Sequence, residues 1–105
     1  MIKELTDANF ERATANGLAL VDFWAPWCAP CRMQTPILED VAHQIGASVT
    51  IAKVNVDDAR ATATRFSIRA IPTIVVMKGG EVVDEMAGVQ SAEKLVAVLN
   101  EAAES

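Results

Sequence analysis

The chain has 105 residues, 51% of them hydrophobic and 22% charged, with nine Lys and Arg against fourteen Asp and Glu. That size and balance fit a single core-forming domain, residues 1–105, and exclude a disordered or low-complexity chain. The net charge of −5 argues against nucleic-acid binding, which needs positive charge to displace counterions from phosphates.

Thr6 to Ala15 carries Phe10 and Ala13 or Thr14 at helical spacing, with Asp7 and Glu11 near its start, where the helix dipole favours acids. Asn16-Gly17 ends that segment. Leu18-Ala19-Leu20-Val21-Asp22-Phe23-Trp24 is a nearly continuous apolar run, as expected of a strand buried on both faces. From Pro30 onward Met33, Ile37, Leu38, Val41, Ala42 and Ile45 recur at three- and four-residue steps, which predicts an amphipathic helix stopped by Gly46. Pro36 falls inside it and removes a hydrogen bond to the Arg32 carbonyl, so a kink is expected there.

Val49 to Val56 reads as a second buried strand, followed by a short helical piece around Ala59 to Phe66. Ile74–Met77 and Glu81–Val83 are strands joined by Lys78-Gly79-Gly80, a tight-hairpin signal. Ser91 can cap a last helix with Leu95, Val96, Val98 and Leu99 on its apolar face. The order β-α-β-α-β-α-β-β-α puts a parallel crossover unit before an antiparallel hairpin and a helix. The expected fold class is α/β, three layers, with helices on both faces of one mixed sheet.

The two cysteines, Cys28 and Cys31, lie between a buried strand and an amphipathic helix. Pro30 suits the first helical turn because it has no N–H to leave unpaired. Cys28 then sits at the helix N-terminus, where free N–H groups and the dipole favour a thiolate. Residues three apart on a helix have Cβ atoms about 5–6 Å apart, close enough to form a disulfide. The spacing supports a reversible dithiol in which Cys28 attacks and Cys31 resolves. Two buried structural thiols, or a metal site, are the alternatives. A structural zinc usually needs four Cys or His ligands, and the only histidine is the distant His43, so no metal is expected.

Asp22 interrupts an apolar strand, and burial there raises a carboxyl pKa. Such an acid could exchange a proton with Cys31; the alternative is an exposed residue where the strand frays. Lys53, inside Ile51-Ala52-Lys53-Val54-Asn55-Val56-Asp57, could partner Asp22 across strands or pair with Asp57. Pro72 opens a strand, and sequence leaves its isomer state open.

Together, Val21-Asp22-Phe23-Trp24-Ala25-Pro26-Trp27-Cys28-x-Pro30-Cys31, Pro36, Ala52-Lys53-Val54-Asn55-Val56-Asp57, Ile68-Arg69-x-Ile71-Pro72-Thr73, Lys78-x-Gly80 and Gly88 closely resemble the thioredoxin family over nearly the whole chain. A lone CxxC is a weak signal, whereas this ordered series is specific. The resemblance implies a five-stranded mixed sheet flanked by four helices and disulfide reduction by thiol–disulfide exchange. It makes Cys28 the nucleophile, Cys31 the resolving thiol, and Asp22 a buried acid/base supported by Lys53.

Pro72 matches the family's cis-proline. Trp27, Ile71, Pro72, Gly88 and Val89, with Ala29 and Pro30 of the motif, would bind the substrate strand. No bound cofactor is implied. A flavin-dependent thioredoxin reductase would restore the dithiol using NADPH, and the other partners would be disulfide-containing proteins.

Ala29 and Ala70 stand where the family usually has glycine, and Phe66 and Met77 where Tyr and Phe are common. The first of these bears on the reduction potential. A general protein-disulfide reductase is therefore expected. A disulfide oxidant or isomerase of the same fold, and a non-catalytic binding module, are the alternatives. No apolar run approaches the roughly 20 residues that cross a bilayer, and the first seven residues lack an apolar signal core. A cytoplasmic monomer without membrane or nucleic-acid partners is the corresponding expectation.

Overall fold

The apolar run Leu18–Trp24 becomes the middle strand of a five-stranded sheet. A computed structural model of the chain describes residues 2–104; Met1 and Ser105 lie outside the described residues. The order is β1 (Ile2–Leu5), α1 (Phe10–Thr14), β2 (Leu18–Trp24), α2 (Ala29–Ile45), a 3-10 turn at Gly46–Ser48, β3 (Val49–Asn55), α3 (Arg60–Arg65), β4 (Thr73–Lys78), β5 (Glu81–Ala87) and α4 (Ala92–Glu104). Strands lie side by side as β1-β3-β2-β4-β5. The pairs β1–β3 and β3–β2 are parallel, while β2–β4 and β4–β5 are antiparallel. Helices cover both faces, so the layering expected from the sequence is the one observed.

Alternation along β2 distributes its side chains to two cores. Ala19, Val21 and Phe23 join Phe10 of α1, Ala52 and Val54 of β3, and Val75 and Met77 of β4. Phe66 completes that side, its ring 5.3 Å from Phe10 and 5.6 Å from Phe23. Leu18 and Leu20 face the other way, against Leu38 and Val41 of α2 and Leu95 and Leu99 of α4. Each such buried leucine contributes roughly 1.5–3 kcal/mol relative to exposure. Asp22 belongs to this second face by the same alternation.

Two expectations, the side taken by Met33 and the length of β5, shift in the structure. Met33 is 65% exposed, because the stripe of α2 that meets the core runs Cys31, Gln34, Leu38, Val41. Residues two apart on a helix point to different sides, so burying Cys31 turns Met33 outward. α2 runs through Pro36, which lies on its exposed side. β5 extends to Ala87 despite Asp84 and Glu85, since an edge strand leaves charges in water. Its hairpin turns on Gly79 and Gly80, at φ +60° and +85°, as a two-residue turn of mirror-image type requires.

The first helix is shorter than expected, beginning at Phe10. Asn9 Oδ1 accepts the Thr6 N–H, and residues 6–9 form a turn. Asp7 is directed elsewhere: its carboxylate accepts the backbone N–H of Ala61 and Thr62 and the Thr62 hydroxyl. α3 has no side-chain cap of its own, so Asp7 caps it from across the fold. The Thr62 hydrogen bonds hold the Asp7 carboxyl below its ordinary pKa. A depressed carboxyl pKa stabilises the fold above the unfolded value of about 4 and loses that effect as pH falls through the folded value. Asp7→Ala is therefore expected to lower Tm at pH 7, with the difference shrinking towards pH 2. Thermal denaturation at both pH values checks this; an equal loss at each would contradict the cap.

Candidate active site

The parallel strand β2 delivers Ala25-Pro26-Trp27 to the carboxyl edge of the sheet, and α2 starts there. Cys28 is the N-cap of α2, with extended backbone (φ −95°, ψ 110°), and its sulfur accepts the Cys31 N–H at 3.2 Å. Pro30, in the first turn, has no N–H to leave unpaired. The two sulfurs form a disulfide with the Cα atoms 5.3 Å apart. Cys28 keeps 5% of its surface and Cys31 none. Ala29 and Pro30 lie exposed on the outer side of the turn.

Two further segments close around Cys28. The Ile71-Pro72 bond is cis, and the Ile71 carbonyl lies 3.8 Å from Cys28 Sγ. That sulfur carries no proton in the disulfide, so the approach becomes a hydrogen bond only when Cys28 is a thiol. The Pro72 carbonyl accepts the Gly88 N–H at 2.8 Å. Gly88 has φ +88°, a left-handed conformation that suits glycine.

Val89 follows, 39% exposed, and Trp27 is 68% exposed. The Trp27 indole N–H donates to Asp57 at 2.9 Å, which fixes the ring while leaving most of it in solvent. An apolar rim thus flanks the disulfide, built from three separate loops.

Asp22 is fully buried, so the frayed-strand alternative does not hold. Its neighbours on the same sheet face are Ile74 and Lys53, each directly opposite in register. Neither carboxylate oxygen has a hydrogen-bond partner among the described residues. Burial dominates and pushes the carboxyl up to about 7, against a lowering by Lys53 and a smaller raising by Glu4.

Lys53 does not bond Asp22 directly, and it does not pair with Asp57, whose carboxylate takes Trp27. Its ammonium donates to the Thr35 hydroxyl at 3.0 Å and lies 3.9 Å from the Trp24 ring centre. Thr35 in turn donates to the Cys31 carbonyl at 3.4 Å. Lys53 therefore acts on Asp22 through space while anchored to the helix that carries the cysteines.

A thioredoxin family model matches residues 1–101. The chain belongs to the thioredoxin family. It is 45% identical to a thioredoxin of Listeria monocytogenes over 100 residues, covering 95% of this chain and 97% of that protein. A thioredoxin of Alicyclobacillus acidocaldarius is 48% identical over 96 residues, 90% of this chain and 91% of its own length. The Bacillus subtilis thioredoxin is 40% identical over 99 residues, with 94% and 95% covered. Within this family the chain is a thiol–disulfide reductase, and its redox centre is the Cys28–Cys31 pair, intrinsic to the chain.

The structure brings Cys28, Cys31, Ile71, Pro72 and Gly88 together and places Asp22 and Lys53 side by side beneath α2. Sequence reading passed over Thr35, Gln34 and Gln90. Gln34 carried a signal, a polar residue three positions after Cys31 on the stripe continued by Leu38 and Val41. Thr35 had none, because its partner Lys53 comes from β3, far along the chain.

The raised Asp22 pKa carries a definite sign. A carboxyl whose folded value lies above its unfolded value of about 3.9 destabilises the fold once the unfolded chain ionises, and the cost grows until the folded value is passed. Asp22→Ala is expected to gain stability relative to the parent from pH 4 up to about 7 and no more above it. The full pH-dependent change is on the order of 4 kcal/mol. Urea unfolding of both proteins across that range checks it; a stability difference flat with pH would contradict an unpartnered buried acid.

Proposed function

We propose that Cys28 is the attacking thiolate and Cys31 the resolving thiol of a general protein-disulfide reductase. The observation that carries this assignment is the Cys28 sulfur at the α2 N-terminus, accepting the Cys31 N–H while keeping the only exposed cysteine surface. A donor and a helix dipole aimed at one sulfur stabilise negative charge there. Cys28 thiolate attacks one sulfur of the substrate disulfide, forming a mixed disulfide and expelling one substrate thiolate. Cys31 then loses its proton to Asp22 and attacks Cys28, releasing the second substrate thiolate. The Cys28–Cys31 disulfide forms, and two electrons have passed to the substrate.

Asp22 suits the proton step because burial holds its carboxyl near neutrality, where an acid/base group transfers protons most effectively. Lys53 tempers that affinity by its charge. The substrate strand lies across Trp27, Ala29, Pro30, Gly88 and Val89, exposed around the disulfide, with the half-buried Ile71 and the buried Pro72 completing the platform. A flavin-dependent thioredoxin reductase drawing on NADPH returns the dithiol, and disulfide-containing proteins of the cytoplasm are the substrates. The protein works as a monomer, since exchange needs the rim free.

Trapping separates the two thiols. Reduced Cys31→Ser mixed with insulin is expected to accumulate a covalent complex on non-reducing gels, while Cys28→Ser yields at least tenfold less. Equal yields would overturn the assignment. Asp22→Ala is expected to form the mixed disulfide at the parent rate but resolve it about a hundredfold more slowly at pH 7, within the usual span for losing a general base. Unchanged resolution in stopped-flow would remove Asp22 from the proton step.

A further inference from the structure

Gln34 is fully buried between Cys31 and Leu38 on the inner stripe of α2. An amide in such surroundings costs stability unless its donor and acceptor are both satisfied. Both of its polar atoms engage the backbone of one residue. Gln34 Oε1 accepts the Gln90 N–H at 2.7 Å, and Gln34 Nε2 donates to the Gln90 carbonyl at 3.0 Å. This is the two-point pairing that a neighbouring strand would provide, supplied by a side chain.

Gln90 in turn donates from its own side chain to the Ala87 and Gly88 carbonyls, at 3.0 and 3.2 Å. At the other end of the loop, the Gly88 N–H is held by Pro72. The three segments around Cys28 are therefore linked in a closed circuit. Cys28 meets Ile71, Pro72 holds Gly88, Gln90 is locked by Gln34, and Gln34 lies one helical turn beyond Cys31.

We propose that Gln34 is a positioning residue that locks the Gly88–Gln90 loop to the cysteine-bearing helix and so holds the substrate strand in register with Cys28. This rests on the reading of Gly88 and Val89 as part of the substrate rim. Without the lock, the Gly88–Pro72 hydrogen bond is what still ties the loop to the site among the described residues, and Val89 loses its fixed distance from the sulfur. Attack on a small disulfide, which needs no loop, is unaffected. A protein disulfide, which must lie along the loop, binds less well.

Gln34→Met removes both hydrogen bonds at nearly constant volume, so the core remains filled. KM for insulin, with dithiol recycling by a thioredoxin reductase, is expected to rise about five- to tenfold, the effect of one or two ordinary hydrogen bonds. The rate with a small aromatic disulfide should stay within twofold. A KM change below twofold, or a parallel fall in both rates, would overturn the proposal.

Val89→Asp, assayed alongside, distinguishes the failures. If it raises KM and Gln34→Met does not, the lock alone is rejected. If neither raises KM, the rim reading fails and takes the lock with it. The unaltered protein offers a test independent of any variant: the Gln90 amide should exchange hydrogen at least tenfold more slowly than an open-loop amide. Exchange at the open-loop rate would also overturn the proposal.

Discussion

Cys28 caps α2 with its own sulfur, and the other features of the site depend on that one contact. The Cys31 N–H at 3.2 Å is a donor the helix cannot use, because the first turn of any helix leaves its N–H groups without partners. Ser, Thr, Asp or Asn usually fills such a position. A thiolate does so as well, and its charge is stabilised in return by the dipole. Reactivity at Cys28 and the start of α2 are therefore one interaction, and a residue chosen only for capping would abolish the chemistry.

The requirement that α2 begin there constrains its surroundings. β2 must end beside the sulfur, and burial on both faces fixes that strand. Cys31 then falls on the inner stripe of α2, with Gln34, Leu38 and Val41 behind it. Asp22 lies on the same sheet face without a hydrogen-bond partner among the described residues, which costs stability and holds its carboxyl near 7. Lys53 would remove that cost if it reached the carboxylate. Thr35 and the face of Trp24 hold its ammonium instead, so Asp22 feels a charge without a bond. The carboxyl is thereby kept protonatable near neutral pH at the expense of the fold, as the proposed proton step requires.

Much of this was legible in the sequence because it rests on local rules. The β2 run, the Ser91 cap, the Gly79-Gly80 turn and the Cys28-x-Pro30-Cys31 start each follow from a few adjacent residues. Periodicity placed α2 and its inward Leu38 and Val41 but counted Met33 among them, which tertiary packing turns outward. Asp7 misled for a related reason: an acid before a helix suits that helix, yet its carboxylate caps α3. The pairings of Lys53 with Thr35, Trp27 with Asp57 and Gln34 with Gln90 join residues far apart in the chain, and no local pattern encodes them. Spacing offered Lys53 two acidic partners; its hydrogen bond goes to neither.

On the proposed roles, the helix start makes the two thiols chemically unequal. Alkylation of the reduced protein with a limiting amount of iodoacetamide at pH 7, followed by peptide mass spectrometry, tests it most directly. Label on Cys28 is predicted to exceed label on Cys31 by at least tenfold, as expected of a thiolate at a helix N-terminus beside a buried thiol. Comparable labelling of the two cysteines would contradict it.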